Sequence, residues 1–333
     1  MKVKDVVKKT HEDRAAEAKK LYISRALTLG ELAEELKVTE AVAQRVTQQL
    51  QKTGLNFIRA GDRLTLHAIT EPGGHLVLRP KDRGDGWIVF GFVTDKHLCN
   101  KQCRLDVLKE AYDFFAAEGV TEVFDAGNWI DGEFKFNKQE LLVFGMDDQL
   151  EYFIENHPQK KGITTYFISG DDHEGWYAQR ERINIGQHLH DMARRPNFNR
   201  TDLSYIGHVE ADVELKARGG SEVMRVMHPG GGSAYAFSYA PQKLVESFQG
   251  GEKPAILLIG HYHKYDVCYP REVFVISGGC CCDQTIFMRK QKIAAHLGFG
   301  LIKIKQDPSR GQIVRVSHEF LARYDRGFYQ QRF

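Results

Sequence analysis

The segment SGDDHEGW, residues 169–176, places two carboxylates directly before a histidine. Asp171 and Asp172 repel each other unless a positive charge lies close by. The two side chains are therefore either solvated turn residues or groups that face a cation. Choosing between these two interpretations requires the rest of the chain.

Similar polar clusters follow four other apolar runs. WIVFGFV is followed by TDKH, TEVFDA by GNWID, EVMRV by MH, and AILLI by GHYH. The runs are strand-like, and helical periodicity at 105–115 and 141–154 separates the earlier ones. Loops at the carboxyl ends of strands in an α/β sheet meet at one crevice. The side chains that would gather there are Asp95, His97, Asn128, Asp131, Asp172, His173, His228, His261 and His263.

Imidazole and carboxylate groups together suit zinc, manganese or iron far better than calcium. The gathered set therefore favours the second interpretation of the DDH segment, in which its carboxylate faces a metal ion.

The ordered motifs DKH, GNWID, DDHE, MH and GHYH resemble the signature of the calcineurin-like metallophosphoesterases, over about residues 87–320. The resemblance implies an α/β fold, a four-layer α/β/β/α sandwich of two mixed sheets. It also implies two divalent metal ions, with manganese as the preferred metal and zinc or iron as alternatives. Two such ions can bind a phosphoryl oxygen and hold a nucleophile in line with the scissile bond. The activity implied is phosphoester hydrolysis.

The same resemblance implies a role for each residue. One metal ion would be held by Asp95, His97 and His263. The other would be held by Asp172, His228 and His261. Asn128 stands where the family has the carboxylate that bridges both ions. His173 stands where a histidine assists the leaving group, and Asp131 where a carboxylate orients that histidine.

Two positions depart from the family pattern in opposite directions of charge. Asn128 replaces the bridging aspartate, and Asp172 replaces a coordinating asparagine. An amide oxygen bridges two dications less well than a carboxylate, because it carries no negative charge. The two changes together leave the charge of the site unchanged. Two outcomes stay open: a rearranged site in which Asp172 is the bridge, or a degenerate site.

Upstream, residues 20–68 show helical spacing, a break at KVTE, a second helical segment and two short alternating runs. This order resembles a winged helix-turn-helix domain. In that family the second helix enters the major groove and the hairpin touches the backbone. Carried onto this chain, the residues facing bases would be Thr39, Glu40, Gln44, Arg45 and Gln48. Those near phosphate would be Arg59 and Arg63. The alternative is a module that docks protein.

The segment at 71–86 contains two prolines and four glycines among charged residues, which is typical of a connector. The predicted organisation is a winged-helix domain at 1–70, a linker at 71–86 and a phosphoesterase domain at 87–333. The 333 residues include no apolar run of 18, and the N-terminus is charged, so we expect a cytoplasmic protein without a membrane partner. The formal charge of +2 does not by itself favour nucleic acid.

Three functions remain open at this stage. The favoured one is a nuclease or phosphodiesterase whose winged helix recruits nucleic acid, with DNA first. The second is a phosphatase for nucleotides or phosphoproteins, in which the N-terminal domain is a docking module. The third is a non-catalytic DNA-binding or assembly protein on a phosphoesterase scaffold. The sequence does not decide the oligomeric state.

Overall fold

The computed structural model describes residues 11–24, 26–52, 57–60, 62–66, 76–80, 86–135, 137–232 and 236–323. The chain divides into two units, Met1–Glu71 and Pro72–Phe333. In the described part of the chain, no helix has the length and apolar character needed to cross a membrane.

The described residues of the first unit form three helices and a hairpin. They are α1 (His11–Ser24), α2 (Leu29–Leu36), α3 (Glu40–Lys52), β1 (Phe57–Ala60) and β2 (Arg63–Leu66). Thr28 and Glu31 form a reciprocal capping box that fixes the start of α2. Tyr22, Leu32 and Val46 bring one face of each helix into a common core. This three-helix segment leaves the polar side of α3 exposed.

The second unit alternates strands and helices. Its strands are β3 (Leu76–Leu78), β4 (Trp87–Val93), β5 (Glu122–Asp125), β6 (Thr164–Ser169), β7 (Leu203–His208), β8 (Glu210–Lys216), β9 (Ser221–Met227), β10 (Ile256–Ile259), β11 (Tyr265–Cys268), β12 (Phe274–Gly278), β13 (Gly298–Gln306) and β14 (Ile313–Ala322). Its helices are α4 (Leu105–Ala117), α5 (Met146–Asn156), α6 (His173–Glu181), α7 (Ile185–Ala193), α8 (Tyr239–Ser247) and α9 (Ile286–Gln291).

These strands form two mixed six-stranded sheets. The first sheet has the order β14-β13-β4-β5-β6-β7, and the second has the order β11-β12-β10-β9-β8-β3. In the first sheet β4, β5, β6 and β7 run parallel, and in the second β9, β10 and β12 run parallel. The two mixed sheets that the sequence predicts are therefore present.

Apolar side chains from both sheets meet in the middle of the second unit. Phe92 and Phe124 of the first sheet share one buried cluster with Val226 and Leu258 of the second. Helices α4, α5, α6 and α7 pack on the outer face of the first sheet, and α8 packs on the outer face of the second. The layers thus follow the order helix, sheet, sheet, helix.

One short strand lies inside the segment that composition marks as a linker. Leu76–Leu78 form β3, which pairs in parallel with β8 from Val213 to Leu215. This part of the segment is therefore an edge strand of the second sheet. A short strand within this segment is compatible with its sequence, but the pairing joins residues more than 130 positions apart, so no local pattern identifies the partner strand.

Candidate metal centre

The loops after five strands deliver polar side chains to one edge of the sandwich. Asp95 and His97 follow β4, Asn128 follows β5, and Asp172 follows β6. The loop after β9 carries His228, and the loop after β10 carries His261 and His263. Parallel strands share the edge at which their carboxyl ends lie, which is why chain segments far apart in sequence meet here.

Asp95, His97 and His263 converge on one point. The Nε2 atoms of His97 and His263 lie 3.1 Å apart. Asp95 Oδ1 lies 3.4 Å from His263 Nε2 and 4.0 Å from His97 Nε2. All three side chains are buried. This geometry brings together the three residues that the family resemblance assigns to one ion.

Asp172, His228 and His261 form a second group. His228 Nε2 lies 3.3 Å from Asp172 Oδ1, and His261 Nδ1 lies 3.3 Å from Asp172 Oδ2. Asp172 Oδ1, His228 Nε2 and His261 Nδ1 are nevertheless buried without a hydrogen-bond partner. Buried polar atoms normally have such partners, so this cluster has the properties expected of a cation site.

Three histidines of the two groups are held in orientation by a hydrogen bond at the ring nitrogen that points away from the cluster. His97 Nδ1 lies 2.9 Å from Asp131 Oδ1, His228 Nδ1 lies 2.6 Å from the Ala126 carbonyl, and His261 Nε2 lies 2.6 Å from the Gly231 carbonyl. Each of these nitrogens donates its hydrogen to the oxygen. The opposite nitrogen of each ring faces the cluster, and this is the arrangement by which proteins present histidine to a metal.

Asn128 lies between the two groups. Its Nδ2 atom is 3.3 Å from Asp95 Oδ1, and its Oδ1 atom is buried without a hydrogen-bond partner. A Cβ atom added to Gly170 would lie 3.2 Å from Asn128 Oδ1 and 3.1 Å from Asp172 Oδ1. The amide and carboxylate oxygens therefore converge beside Gly170, and the absence of a side chain there makes room for both.

The two carboxylates nearest His228 make the electrostatic field at this ring negative. Burial opposes a charge on His228, but the carboxylates of Asp172 and Asp95 raise its pKa to about 10. The same field that favours a proton on this ring favours a metal ion. Burial together with the nearby His173 lowers the pKa of His97 to about 4, so that imidazole is neutral and can act as a ligand.

His173 and Asp131 lie beside the first group. His173 Nδ1 is 3.0 Å from the Asp131 carbonyl and 3.3 Å from Asp131 Oδ1. Asp131 Oδ2 accepts hydrogen bonds of 2.8 Å from both Asn100 and Asn137. Burial opposes a charge on His173, but its hydrogen bond to Asp131 and the charge of Asp172 raise its pKa to about 9. The imidazole is therefore protonated at neutral pH.

Glu174 is a site residue that the sequence interpretation did not assign. Its buried Oε1 atom accepts hydrogen bonds from the backbone of Gly170 at 2.7 Å and of Asn128 at 3.0 Å. The carboxylate thus fixes two of the loops that carry candidate ligands. Burial raises its pKa to about 7. The sequence feature that could have identified Glu174 is its position in the DDHE motif, directly after His173.

The sequence interpretation also did not predict a buried ion pair beneath the cluster. Lys96 stands between two candidate ligands in sequence, but its Nζ atom pairs with the carboxylate of Asp125, and both side chains are fully buried. The ammonium group also lies 5.0 Å from the centre of the Phe153 ring. The pair connects the loop after β4 to the end of β5.

A cavity of about 430 Å³ opens above the cluster. Its floor includes His97, Asn128, Asp172, His173 and His261. Most of the candidate ligands, but not Asp95 or His228, therefore line one pocket together with His173.

The candidate nucleic-acid residues lie in the first unit. Thr39, Glu40, Gln44, Arg45 and Gln48 are all exposed, at or near the start of α3 and along it. Arg63 donates hydrogen bonds to Glu31 Oε1 at 2.7 Å and to the Ala26 carbonyl at 3.0 Å, so part of its charge is compensated within the chain. The side chain of Arg59 lies outside the described residues.

The donor set fits divalent metal ions. The groups Asp172, His228 and His261 and also His97, His263 and Cys282 each bring possible ligand atoms within 4.8 Å of one another. Imidazole nitrogen, carboxylate oxygen and thiol sulfur are ligands of manganese, iron and zinc. The chain therefore combines two mixed six-stranded sheets with candidate His/Asp metal sites.

Several solved structures are similar to about 70% of this chain. An archaeal phosphodiesterase is 15% identical, with all of its chain covered and a TM-score of 0.39. Vps29 from Entamoeba histolytica in complex with Zn²⁺ is 10% identical, with 99% of its chain and 70% of this one covered, at a TM-score of 0.32. A predicted phosphoesterase from Streptococcus pneumoniae is 13% identical, with 98% of its chain and 71% of this one covered, at a TM-score of 0.32. No protein-family model and no curated protein matches the sequence.

Proposed function

We propose that the second unit is a metal-dependent phosphoester hydrolase that acts on diesters. The observation that supports the proposal is the set of buried, unpartnered ligand atoms of Asp172, His228 and His261 beside the Asp95, His97 and His263 group. Buried histidines fixed from behind and aimed at a common point serve metal binding better than they serve folding.

In this proposal each residue group has a defined role. Asp95, His97 and His263 hold one divalent ion, and Asp172, His228 and His261 hold the other. Asn128 and Asp172 lie between the two positions. When bound, such ions polarise the phosphoryl group and lower the pKa of the attacking water.

His173 is the proposed general acid. Its Nδ1 atom donates to Asp131, which holds the ring in place and stabilises the imidazolium. With a pKa of about 9 the ring carries a proton that Nε2 can transfer to the oxygen of the departing group. Asp131 is a positioning residue, because it acts on the substrate only through His173.

The preference for diesters follows from charge. Among the described residues that line the pocket, none is lysine or arginine. A monoester dianion or a polyphosphate carries additional negative charge with which no lysine or arginine of the described lining would pair. A diester carries a single negative charge and needs no such residue.

We propose further that the first unit is a winged helix that contacts nucleic acid. The support is the exposed polar face of α3, with Gln44, Arg45 and Gln48, after a tight turn and before a hairpin. Arg45→Ala in the full chain is expected to weaken DNA binding and reduce its salt dependence. Lys20→Ala, which removes an exposed charge from α1, is the matched control. Equal effects of the two changes would favour protein docking instead.

Metal analysis with a substrate panel tests the hydrolase proposal. The purified protein is loaded with manganese, zinc or iron(II) and assayed with bis(p-nitrophenyl) phosphate, p-nitrophenyl phosphate, and single- and double-stranded DNA. We expect bound metal and faster hydrolysis of the diester. A monoester preference would support the phosphatase alternative, and metal binding without hydrolysis of any substrate would support a scaffold.

A further inference from the structure

A buried thiol lies behind the candidate ligand His263. The Sγ atom of Cys282 is 3.7 Å from His263 Nδ1, and the Cys282 side chain is fully buried. The other ring nitrogen, Nε2, faces His97 and Asp95. The atoms that meet the rear nitrogens of the other three candidate histidines are oxygens. His263 differs from those three rings because its Nδ1 atom meets sulfur.

The segment that carries this thiol is fixed by its backbone. Residues 280–282 lie in the loop between β12 and α9. The backbone of Cys281 donates a hydrogen bond of 3.1 Å to the carbonyl of Asp95, and the carbonyl of Cys281 accepts one of 2.9 Å from the backbone of Arg104. The segment between β4 and α4, which carries candidate ligands, thus also fixes the position of the thiol.

The two neighbouring thiols have different surroundings. Cys280 Sγ donates a hydrogen bond of 3.3 Å to the carbonyl of Cys282. Burial lowers the pKa of His263, but Asp95 and then Cys280 raise it above its usual value, so the sulfur of Cys280 also interacts with this ring. Cys281 Sγ instead lies 3.7 Å from a backbone carbonyl, that of Gly298.

Metal binding creates a requirement that the Cys282 sulfur meets. Buried cysteines commonly pack as small apolar side chains. A neutral imidazole that binds a metal ion through Nε2, however, carries its hydrogen on Nδ1. That hydrogen needs an acceptor, because a buried donor without a partner is costly. Sulfur is a weak acceptor, and Cys282 Sγ lies at the required position.

We propose that Cys282 is a positioning residue for the metal ion of Asp95, His97 and His263. Its sulfur accepts the Nδ1 hydrogen of His263 and so directs Nε2 toward the ion. The inference rests on the proposed hydrolase function and adds a residue to its metal centre. Outer partners of this kind typically contribute about 10- to 100-fold to metal affinity.

Calorimetry of zinc binding to the full chain tests this hydrogen bond without requiring turnover. Cys282→Ala should weaken the binding of one zinc ion by about 10- to 100-fold. Cys282→Ser should retain most of the affinity, because its hydroxyl oxygen also accepts a hydrogen bond. Alanine and serine leave nearly the same space unfilled, so the difference between the variants reports the hydrogen bond. An equal loss in both would assign the effect to packing and overturn the inference.

Cys281→Ala is the matched control. It removes a thiol from the adjacent position, which is equally buried but whose sulfur contacts the Gly298 carbonyl. Zinc binding by this variant should equal that of the wild type. A loss as large as that in Cys282→Ala would show that any disturbance of the segment weakens the site, and would overturn the specific role of Cys282.

Two spectroscopic measurements examine the contact directly. In the zinc-loaded chain with ¹⁵N-labelled histidine, the Nδ1 resonance of His263 is identified by its loss in His263→Gln. It should shift in Cys282→Ala and stay in place in Cys281→Ala. In the cobalt(II)-loaded wild type we expect no sulfur-to-metal charge-transfer absorption, because the sulfur contacts the ring and not the ion.

The outcomes separate this inference from the proposed function. Unchanged zinc affinity or an unchanged Nδ1 resonance in Cys282→Ala would overturn the positioning role while the metal-dependent hydrolase stands. Charge-transfer absorption that Cys282→Ala abolishes would make the sulfur a ligand, and would also overturn that role. Absence of zinc binding by the wild type would remove the metal centre itself, and the inference with it.

Discussion

Exchanging the two side chains that converge beside Gly170 tests whether they share one metal cluster. The perturbation has three forms: Asn128→Asp, Asp172→Asn, and both changes together. Asn128 approaches Asp95, and Asp172 approaches His228 and His261. Each single change alters the charge of the cluster by one unit, whereas the double change preserves it.

The magnitude follows from the distances. A carboxylate oxygen in place of Asn128 Nδ2 would lie 3.3 Å from Asp95 Oδ1. At an effective dielectric constant of about 20, two such charges repel each other by about 5 kcal/mol, unless one of them binds a proton. Asp172→Asn removes the negative charge 3.3 Å from two imidazoles and weakens their hold on a cation. The double variant keeps the contact with Asp95 but restores the net charge of the cluster, so we expect an interaction energy on the order of 0.5–3 kcal/mol between the two changes.

The assay compares the wild type and the three variants by thermal unfolding with and without manganese, by bound metal and by diester hydrolysis. Asn128→Asp should be least stable without metal and gain most from it. Asp172→Asn should lose metal. Asp171→Asn is the control, because it makes the same chemical change at the exposed neighbouring carboxylate.

Additive effects of the two changes would refute the shared cluster. Activity that appears only in Asn128→Asp would show that the natural site is degenerate, and would favour the scaffold function.

Three further predictions address other parts of the second unit. His173→Ala should keep bound metal and slow diester hydrolysis by ~10²–10⁴-fold, since the ring acts on the departing oxygen, and loss of metal in this variant would contradict that role. Lys96→Met should lower the free energy of unfolding by about 3–5 kcal/mol, because it leaves the buried carboxylate of Asp125 unpaired. In denaturant titrations the double change Lys96→Met with Asp125→Leu should regain much of that loss, and equal instability would argue against the pair. Burial, and then the charges of Lys96 and Arg200, lower the pKa of His157 well below its usual 6.5. The folded state therefore binds fewer protons than the unfolded state below pH 6.5. Stability should fall as pH drops through that range, by at most about 1.4 kcal/mol per unit from this group. His157→Gln should flatten the slope, and an unchanged slope would assign the acid sensitivity elsewhere.

The positions of the candidate ligands could be predicted because their signal is local. Each of them follows a short apolar run, and the carboxyl ends of parallel strands share an edge. The sequence order of Asp95, Asn128, Asp172 and His261 therefore indicates a shared site. The convergence of their ligand atoms on two points needed the structure.

Other features depend on partners far away in the chain. Lys96 has the sequence context of an exposed charge, and its partner Asp125 lies 29 residues later. Arg63 stays predicted near phosphate, but the sequence did not indicate its ion pair with Glu31, which is 32 residues earlier. Phe287 gives no local sign of a pocket, because other residues that line the pocket, such as Phe134, come from the loop after β5. Contacts between residues far apart in sequence determine these three features. The periodicity of the sequence does not predict such contacts.

Five residues at the metal centre have a backbone conformation that glycine adopts more easily than they do. Asp95, His97, Asn128, His261 and His263 all have φ values between 48° and 77°, in the left-handed region that favours glycine. Residues with a Cβ atom are strained there by about 1–3 kcal/mol each. Glycine at any of these positions would relax the loop and strengthen the fold, while deleting a side chain from the cluster. Stability and ligand binding thus make opposite demands on the same five residues. A chain optimised for folding alone would have glycines here, so the imidazole, amide and carboxylate groups are evidence of selection for what they bind.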